Sequence, residues 1–327
     1  MQPQSSSRLA DVICTEILAR LVRHRDRSTT DPDPLFVAIQ GPQGSGKTTV
    51  VRAVQKSLSS PESGHGLSVA VLSLDDLYLP HTGLVNLANA HPTNLLLRGR
   101  GQPGTHDIDL GQAILEALLK INNTRISIDL PSFNKSLFNG EGDRGPTGSW
   151  LTVDPPVDIV ILEGWCMGFY PLEDSELTKR YEEVISTPSN EDSLPNIRTI
   201  MESVSLDDMR TINMYLKDYP LRLYSFFSMF IQIKPGSDNP YSPIYKWRLE
   251  QEHHMKSMNG GEGMTDEQVK LFIDRYIPGY LFFAGGIERG SLMLDDAITS
   301  VDNPPWKGSL LRVTIDEDRR LSSVEKL

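Results

Sequence analysis

The hydrophobic positions of this chain follow two patterns. Short, nearly continuous apolar runs bounded by polar residues are typical of strands buried on both faces of a sheet. They predict strands at 35–39, 68–74, 125–130, 157–162, 224–233 and 311–315. Between them, apolar residues recur at helical spacing or the composition favours a helix. These segments predict helices over about 8–25, 49–56, 109–119, 245–258 and 265–276.

Polar residues at segment ends refine this picture. Asp109 is the predicted N-cap of the helix at 109–119, and Thr265 with Gln268 has the spacing of a capping box. The stretch 171–198 is polar and contains Pro and Glu, so we predict an excursion from the core. The charged helix within 241–259 is a candidate lid over a ligand site, with an ordinary charged surface helix as the alternative.

Strands that alternate with helices predict an α/β fold, in which a mostly parallel central sheet is covered by helices on both faces. The expected architecture is a three-layer α/β/α sandwich, formed as one domain over 1–327. Ligands of such sheets bind at the carboxyl ends of the strands, so polar residues at strand ends are the candidates for function.

Composition narrows the partners. The 327 residues carry a formal net charge of -11, which argues against nonspecific binding to nucleic acid or to anionic membranes. No apolar run approaches the length of a membrane span. Cys14 and Cys166 are isolated, which favours reduced, buried thiols in a cytoplasmic protein, with a nuclear location left open. The N-terminal segment has acidic residues and a helical apolar stripe, so an organelle presequence is not supported.

The run GPQGSGKT at 41–48 satisfies the phosphate-binding P-loop pattern G-x-x-x-x-G-K-[ST]. It lies between a predicted buried strand and a predicted helix, where backbone N–H groups and the helix N-terminus bind phosphates. The pattern therefore predicts that the α/β/α sandwich is that of the P-loop NTPases, with ATP and Mg²⁺ as cofactors. The candidate nucleotide-binding residues are Gly41, Gln43, Gly44, Ser45, Gly46, Lys47, Thr48 and Thr49.

Acidic residues follow two of the predicted strands. Asp75 and Asp76 end the strand at 68–74, where a carboxylate can accept the proton of an attacking hydroxyl or order water on Mg²⁺. The alternative is a capping or turn role, and one residue of the pair can fill each role. Glu163 ends the run at 157–162 in the position of a Walker-B acid, so Thr48 and Glu163 are the candidate metal residues.

Basic residues in the predicted loops suggest an anion pocket in an otherwise acidic chain. Arg98, Arg100 and His106 lie in a Gly-rich loop, and Lys135 and Arg144 lie further along the chain. Arginine is suited to bidentate recognition of carboxylate or phosphate, although each of these residues taken singly is typical of a solvated charge.

Six segments together resemble one family of kinases. They read GPQGSGKTT, LSLDDLYLP, RGRGQPGTHD, DLPSFNKSLFNGEGDR, VILEGW and YKWRLEQE, in this order. The chain resembles the D-glycerate 3-kinase-like P-loop kinases over about 35–280. This group includes plant-type glycerate kinase and a fungal ATP-dependent kinase, and is more distantly similar to pantothenate kinase, uridine kinase and phosphoribulokinase. The third and fourth segments are the specific ones, since the P-loop and LEG motifs are generic.

The resemblance implies a Mg-ATP-dependent kinase that phosphorylates a hydroxyl of a small, anionic metabolite, with D-glycerate as the candidate. It implies Asp75 as the proton acceptor, Glu163 as the acid near Mg²⁺, Arg248 as a lid arginine and Lys47 as the phosphate-binding lysine. The acceptor is then expected to contact a set drawn from the motif loops: Asp76, Tyr78, Arg98, Arg100, His106, Lys135 and Arg144. We expect a monomer or a weak homodimer whose only partner is this acceptor.

Two other functions are compatible with the same motifs. A regulatory NTPase is one, although the chain lacks the N-K-x-D motif of GTPases. A protein that binds ATP without turnover is the other, although the set Lys47, Thr48, Asp75 and Glu163 is intact. Comparing ATP with GTP binding, and testing acceptor-dependent turnover, separates the three hypotheses.

Overall fold

A six-stranded sheet forms the centre of the molecule. The computed structural model describes residues 3–26, 33–187, 195–258, 260–290 and 303–327. The described strands are β1 (Leu35–Gln40), β2 (Val69–Ser73), β3 (Ile128–Leu130), β4 (Phe133–Asn134), β5 (Asp143–Arg144), β6 (Leu151–Val153), β7 (Ile159–Gly164), β8 (Met229–Pro235), β9 (Leu310–Ile315) and β10 (Leu321–Lys326). The order of the central strands is β10-β9-β8-β1-β7-β2, and all neighbours are parallel except the edge pair β9 and β10.

Helices cover both faces of this sheet. They are α1 (Pro3–Arg25), α2 (Lys47–Ser59), α3 (His81–Ala90), α4 (Ile108–Leu119), α5 (Ile121–Thr124), α6 (Asp174–Ser186), α7 (Ile197–Glu202), α8 (Leu206–Leu216), α9 (Asp218–Arg222), α10 (Ser242–Met258), α11 (Asp266–Asp274), α12 (Ile277–Phe283) and α13 (Gly286–Arg289). None of the helices in the described ranges is both long and apolar enough to cross a membrane.

Alternate residues of β1 point into two separate cores. Val37 and Ile39 pack with α1 and α2 on one face, whereas Phe36 and Ala38 pack with α4 and the helices that follow β7 on the other. All six residues of β1 and of β7 are buried, as expected for central parallel strands. The predicted three-layer α/β/α architecture with a mostly parallel sheet is confirmed.

Several element boundaries differ from the prediction. The N-cap of α4 is Asp107, whose side chain accepts from the Leu110 N–H, so the prediction of Asp109 was wrong. The helix begins at Ile108, one residue earlier than predicted, because Ile108 is already helical and packs into the core. Asp109 lies in the first turn and pairs with Arg222 instead.

The remaining differences concern strand positions and the predicted excursion. The strand predicted at 125–130 is shorter in the structure, where β3 covers Ile128–Leu130. It lies outside the central sheet and pairs with β6 in a separate two-stranded sheet. The strand predicted at 224–233 begins at Met229, because Tyr224–Phe226 form a 3-10 turn. The stretch 171–198 contains α6, which buries Leu177 in the core, while 188–194 lie outside the described residues. The Thr265 capping box is present, and Cys14 and Cys166 are buried free thiols.

Candidate active site

The P-loop connects the centre of the sheet to α2. Gly44 and Gly46 have φ angles of 73° and 82°, which side-chain-bearing residues adopt at a cost. The Ser45 N–H donates to the Pro42 carbonyl at 3.2 Å, which closes the turn. Gly46 caps α2 without a side chain, so the first N–H groups of the helix face the loop without a side-chain acceptor. This geometry forms the concave nest of N–H groups that binds phosphates.

Lys47, Thr48 and Glu163 meet directly below the loop. Glu163 lies opposite Ile39 in the β1–β7 pairing, which places its buried carboxylate beside the start of α2. It forms an ion pair with Lys47 and accepts from the Thr48 hydroxyl at 3.1 Å. A hydroxyl and a carboxylate are hard oxygen ligands, and Mg²⁺ usually takes one or two of these together with substrate phosphates and water. The pair therefore fits Mg²⁺, and the described residues include no group of three His, Cys, Asp or Glu that could form a full metal cage.

The two acids after β2 point in different directions. Asp75 lines the cleft and forms an ion pair with Lys135. Asp76 accepts from the Phe133 N–H at 3.1 Å, and thereby supports the loop that carries Lys135. Asp75 therefore faces the cleft, whereas Asp76 has a structural role in the neighbouring loop.

Their electrostatic environments diverge as well. Burial acts to raise the pKa of Asp75, but the ammonium groups of Lys135 and Lys47 outweigh it, so the pKa lies well below its ordinary value. Burial raises the pKa of Asp76 to about 6, and the nearby Asp75 charge adds to the effect. Asp75 is consequently ionised at neutral pH, as a residue that takes a proton from a hydroxyl must be.

A cleft of about 570 Å³ opens above the P-loop. It brings together eleven of the predicted residues: Gln43, Gly44, Gly46, Lys47, Thr48, Thr49, Asp75, Tyr78, Arg100, Lys135 and Arg248. Ser45 and Glu163 are buried beneath it, and the Gly41 Cα lies so close to Ser45 and Ile233 that a Cβ would meet both at 3.1–3.2 Å.

Three predicted basic residues do not line this cleft. Arg98 points outward and donates to the Pro92 carbonyl at 3.1 Å. Arg144 donates to Asp107 and to the Tyr78 carbonyl, both at 2.9 Å, so it braces two loops. His106 is buried, stacks on Tyr78 at 4.4 Å and contacts the Tyr219 hydroxyl at 2.6 Å. Burial lowers its pKa to about 4, so it is a neutral packing residue below the cleft.

The helix α10 crosses the P-loop. Its first half is part of the core, since Ile244, Tyr245 and Trp247 are buried, and its second half overhangs the cleft. A Cβ on Gly44 would lie 2.6 Å from the Trp247 Cβ, so the helix and the loop are in direct contact. Arg248 faces the cleft, pairs with the buried Glu252 at 2.8 Å and lies over the Phe272 ring at 5.5 Å.

Sequence reasoning missed several residues of this site. Arg319 lines the cleft from the turn after β9, and the Tyr280 hydroxyl accepts from the Gln43 N–H at 3.2 Å. Trp165, Phe272 and Tyr276 complete the wall. The strand-end rule that selected Asp75 and Glu163 also applies to the end of β9, and would have selected Arg319.

Three curated proteins were found to be similar over most of this chain. A probable ATP-dependent kinase, TDA10, of Saccharomyces cerevisiae is 36% identical over 267 residues, or 78% of this chain and 80% of its own length. The uncharacterized kinase mug58 of Schizosaccharomyces pombe is 34% identical over 257 residues, or 78% of this chain and 83% of its own length. The chloroplastic D-glycerate 3-kinase of Arabidopsis thaliana is 32% identical over 76% of this chain and 48% of its own length.

Two solved structures are also similar to this chain over most of its length. The D-glycerate 3-kinase of Cryptococcus neoformans superposes with a TM-score of 0.82 at 36% identity, covering 98% of this chain and 99% of its own. The YGR205w protein superposes with a TM-score of 0.71 at 31% identity, with 97% of both chains covered. No family model matches the chain.

Proposed function

This chain belongs to the D-glycerate 3-kinase-like family of P-loop kinases and is a phosphotransferase, and from that premise we propose that it transfers the γ-phosphoryl group of Mg-ATP to a hydroxyl of a small anionic metabolite, with D-glycerate as the candidate acceptor. The observation that carries the proposal is the cleft that Lys47, Asp75 and Lys135 line together. It joins a phosphate-binding loop to a carboxylate and to a cation from a second loop.

The donor side of the proposed reaction is built from the P-loop. Its N–H groups and Lys47 bind the β- and γ-phosphates, and Mg²⁺ would supply further positive charge against the negative charge of the transferred group. Thr48 and Glu163 are the residues that would hold the ion. Arg248 faces the same cleft, where a guanidinium stabilises charge on the moving phosphoryl group.

The acceptor side is assigned to Asp75, Arg100 and Lys135. The ionised Asp75 accepts a hydrogen bond from the attacking hydroxyl, orients it and takes its proton as the bond to phosphorus forms. Arg100 and Lys135 supply positive charge for a carboxylate of the acceptor. Arg100 is held by the carbonyls of Gly140 and Glu141, which fixes the guanidinium against the second loop.

The test is an ADP-release assay with Mg-ATP and a panel of hydroxy acids, nucleosides and vitamins. D-glycerate is expected to stimulate ADP release and to yield a phosphoglycerate. Lys47→Ala should abolish turnover, and Asp75→Asn should reduce it by about 10²–10⁴-fold while ADP still binds. ATP binding without stimulation by any acceptor would overturn the kinase proposal in favour of a regulatory ATP-binding protein. Stimulation by a different acceptor would overturn only the assignment of D-glycerate.

A further inference from the structure

Arg319 connects the C-terminal hairpin to the P-loop. It lies in the turn between β9 and β10 with a φ of 64°, a left-handed conformation that few non-glycine residues adopt. The Asp316 carboxylate fixes this turn by accepting from the N–H groups of Asp318 and Arg320 at 2.9 and 2.7 Å. A strained backbone held this firmly is typical of a residue whose side chain has a required position.

The Arg319 guanidinium donates to three different groups. Its Nε donates to the Gly44 carbonyl at 2.7 Å, its Nη1 to Glu250 at 2.7 Å and its Nη2 to the Trp247 carbonyl at 3.3 Å. It also lies 5.5 Å from the Trp247 ring centroid, within range of a cation–π contact. The planar fork of the guanidinium presents donors in several directions, which suits it to acceptors on a loop and on a helix at once.

The contact with Gly44 determines how one peptide group of the P-loop is turned. Because a peptide is planar, the carbonyl of Gly44 and the N–H of Ser45 point in opposite directions. Arg319 holds the carbonyl on the outer side, while the Ser45 N–H faces into the turn toward Pro42. A carbonyl rotated inward would present a partial negative charge to the phosphates, and would break the Ser45–Pro42 hydrogen bond that closes the turn around the nest.

We propose that Arg319 is a positioning residue for ATP, which locks the Gly44–Ser45 peptide in its phosphate-binding orientation and fixes the P-loop against α10. The second effect follows because Trp247, which accepts from Arg319, directly precedes Arg248 in the helix. One guanidinium thus sets the spacing between the loop that binds phosphate and the helix that carries a second cation. This inference uses ATP binding from the proposed function, and does not depend on which acceptor is phosphorylated.

The experiment compares Arg319→Ala with Arg320→Ala, a neighbouring control whose side chain is 57% exposed and pairs only with Asp318 among the contacts described. Isothermal titration calorimetry measures ADP and AMP binding to each full-length protein, and a thermal melt monitors folding. Arg319→Ala is expected to weaken ADP binding by roughly 10–100-fold, the effect of losing hydrogen bonds from a charged group. AMP, which places no β-phosphate in the loop, should lose little affinity.

The conservative variant Arg319→Lys is expected to recover part of the ADP affinity, because a compact ammonium keeps the charge but lacks the planar fork that spans the loop and the helix. A purely structural role would lower the melting temperature and leave the ADP affinity of the folded protein unchanged, and that result would overturn the proposal. Equal losses for ADP and AMP would also overturn it, since they would place Arg319 at the nucleoside. If the unmodified protein binds no ADP, both the proposed function and this role of Arg319 are refuted.

Discussion

Replacing Gly44 by alanine tests whether the P-loop and α10 form one rigid unit. The added Cβ faces two separate penalties. The φ of 73° costs an alanine about 1–2 kcal/mol. The Cβ also lies 2.6 Å from the Trp247 Cβ and 2.8 Å from its backbone carbon, and overpacking of this kind costs about 1–3 kcal/mol.

Gly64→Ala is the matched control, because it separates the two penalties. Gly64 has a similar φ of 78°, and a Cβ there would meet no atom within 4 Å. Its substitution therefore carries only the backbone cost, about 1–2 kcal/mol. The difference between the two variants, about 1–3 kcal/mol, measures the contact between Gly44 and Trp247.

Urea denaturation and ADP calorimetry on both variants provide the measurement. We expect Gly44→Ala to lose more free energy of unfolding than Gly64→Ala, or to keep its stability by displacing α10 and lose ADP affinity instead, because the helix and loop cannot both stay in place. Gly64→Ala should bind ADP normally. Identical stability and identical ADP affinity in the two variants would show that the loop and the helix are not in rigid contact, and would refute this reasoning.

Two further predictions concern buried acids. Glu252→Gln should destabilise the protein by about 3–5 kcal/mol in urea denaturation, because it leaves the Arg248 guanidinium without its buried partner. The control is Glu262→Gln, which changes an exposed residue nearby. Equal stability of the two variants would contradict this prediction. Asp76→Asn should change how stability depends on pH. Burial raises the pKa of Asp76 in the folded protein to about 6, whereas the unfolded side chain titrates near 3.8. Between these values the folded protein binds the proton more tightly, so the contribution of Asp76 to the free energy of unfolding is lost as pH rises from about 4 to 6. His106, with a pKa lowered to about 4, acts in the opposite direction over this range. The asparagine variant should therefore gain stability with rising pH more steeply than the parent protein, and parallel melting profiles would contradict the assignment.

The sequence was sufficient where the determining interactions are local. A P-loop needs a strand, glycines with positive φ and a helix N-terminus in immediate succession, so its pattern is readable without the fold. Asp75 and Glu163 were found by one further rule, that the carboxyl ends of parallel strands meet at one edge. Together these placed the nucleotide half of the candidate site.

Side-chain direction in the loops was not readable in the same way. Asp75 and Asp76 are adjacent and chemically alike, and their roles are separated by distant contacts. Phe133 lies 57 positions from Asp76, and Lys135 lies 60 positions from Asp75. Arg98 and Arg100 differ similarly: the first contacts its own segment at Pro92, while the second contacts residues 40 and 41 positions away. Such choices are made by tertiary contacts, which spacing along the chain does not encode.

The contact between Arg319 and Gly44 has a consequence for how the protein matures. The two residues are 275 positions apart in the sequence. At translation rates of roughly 5–20 residues per second, the loop is synthesised about 14–55 s before its arginine. Closing so long a segment is entropically costly and slow compared with local structure formation. The phosphate-binding loop is thus synthesised long before the residue that fixes its geometry. If Arg319 has the proposed role, the kinase domain acquires its full affinity for ATP only once the β9–β10 hairpin has packed against the loop.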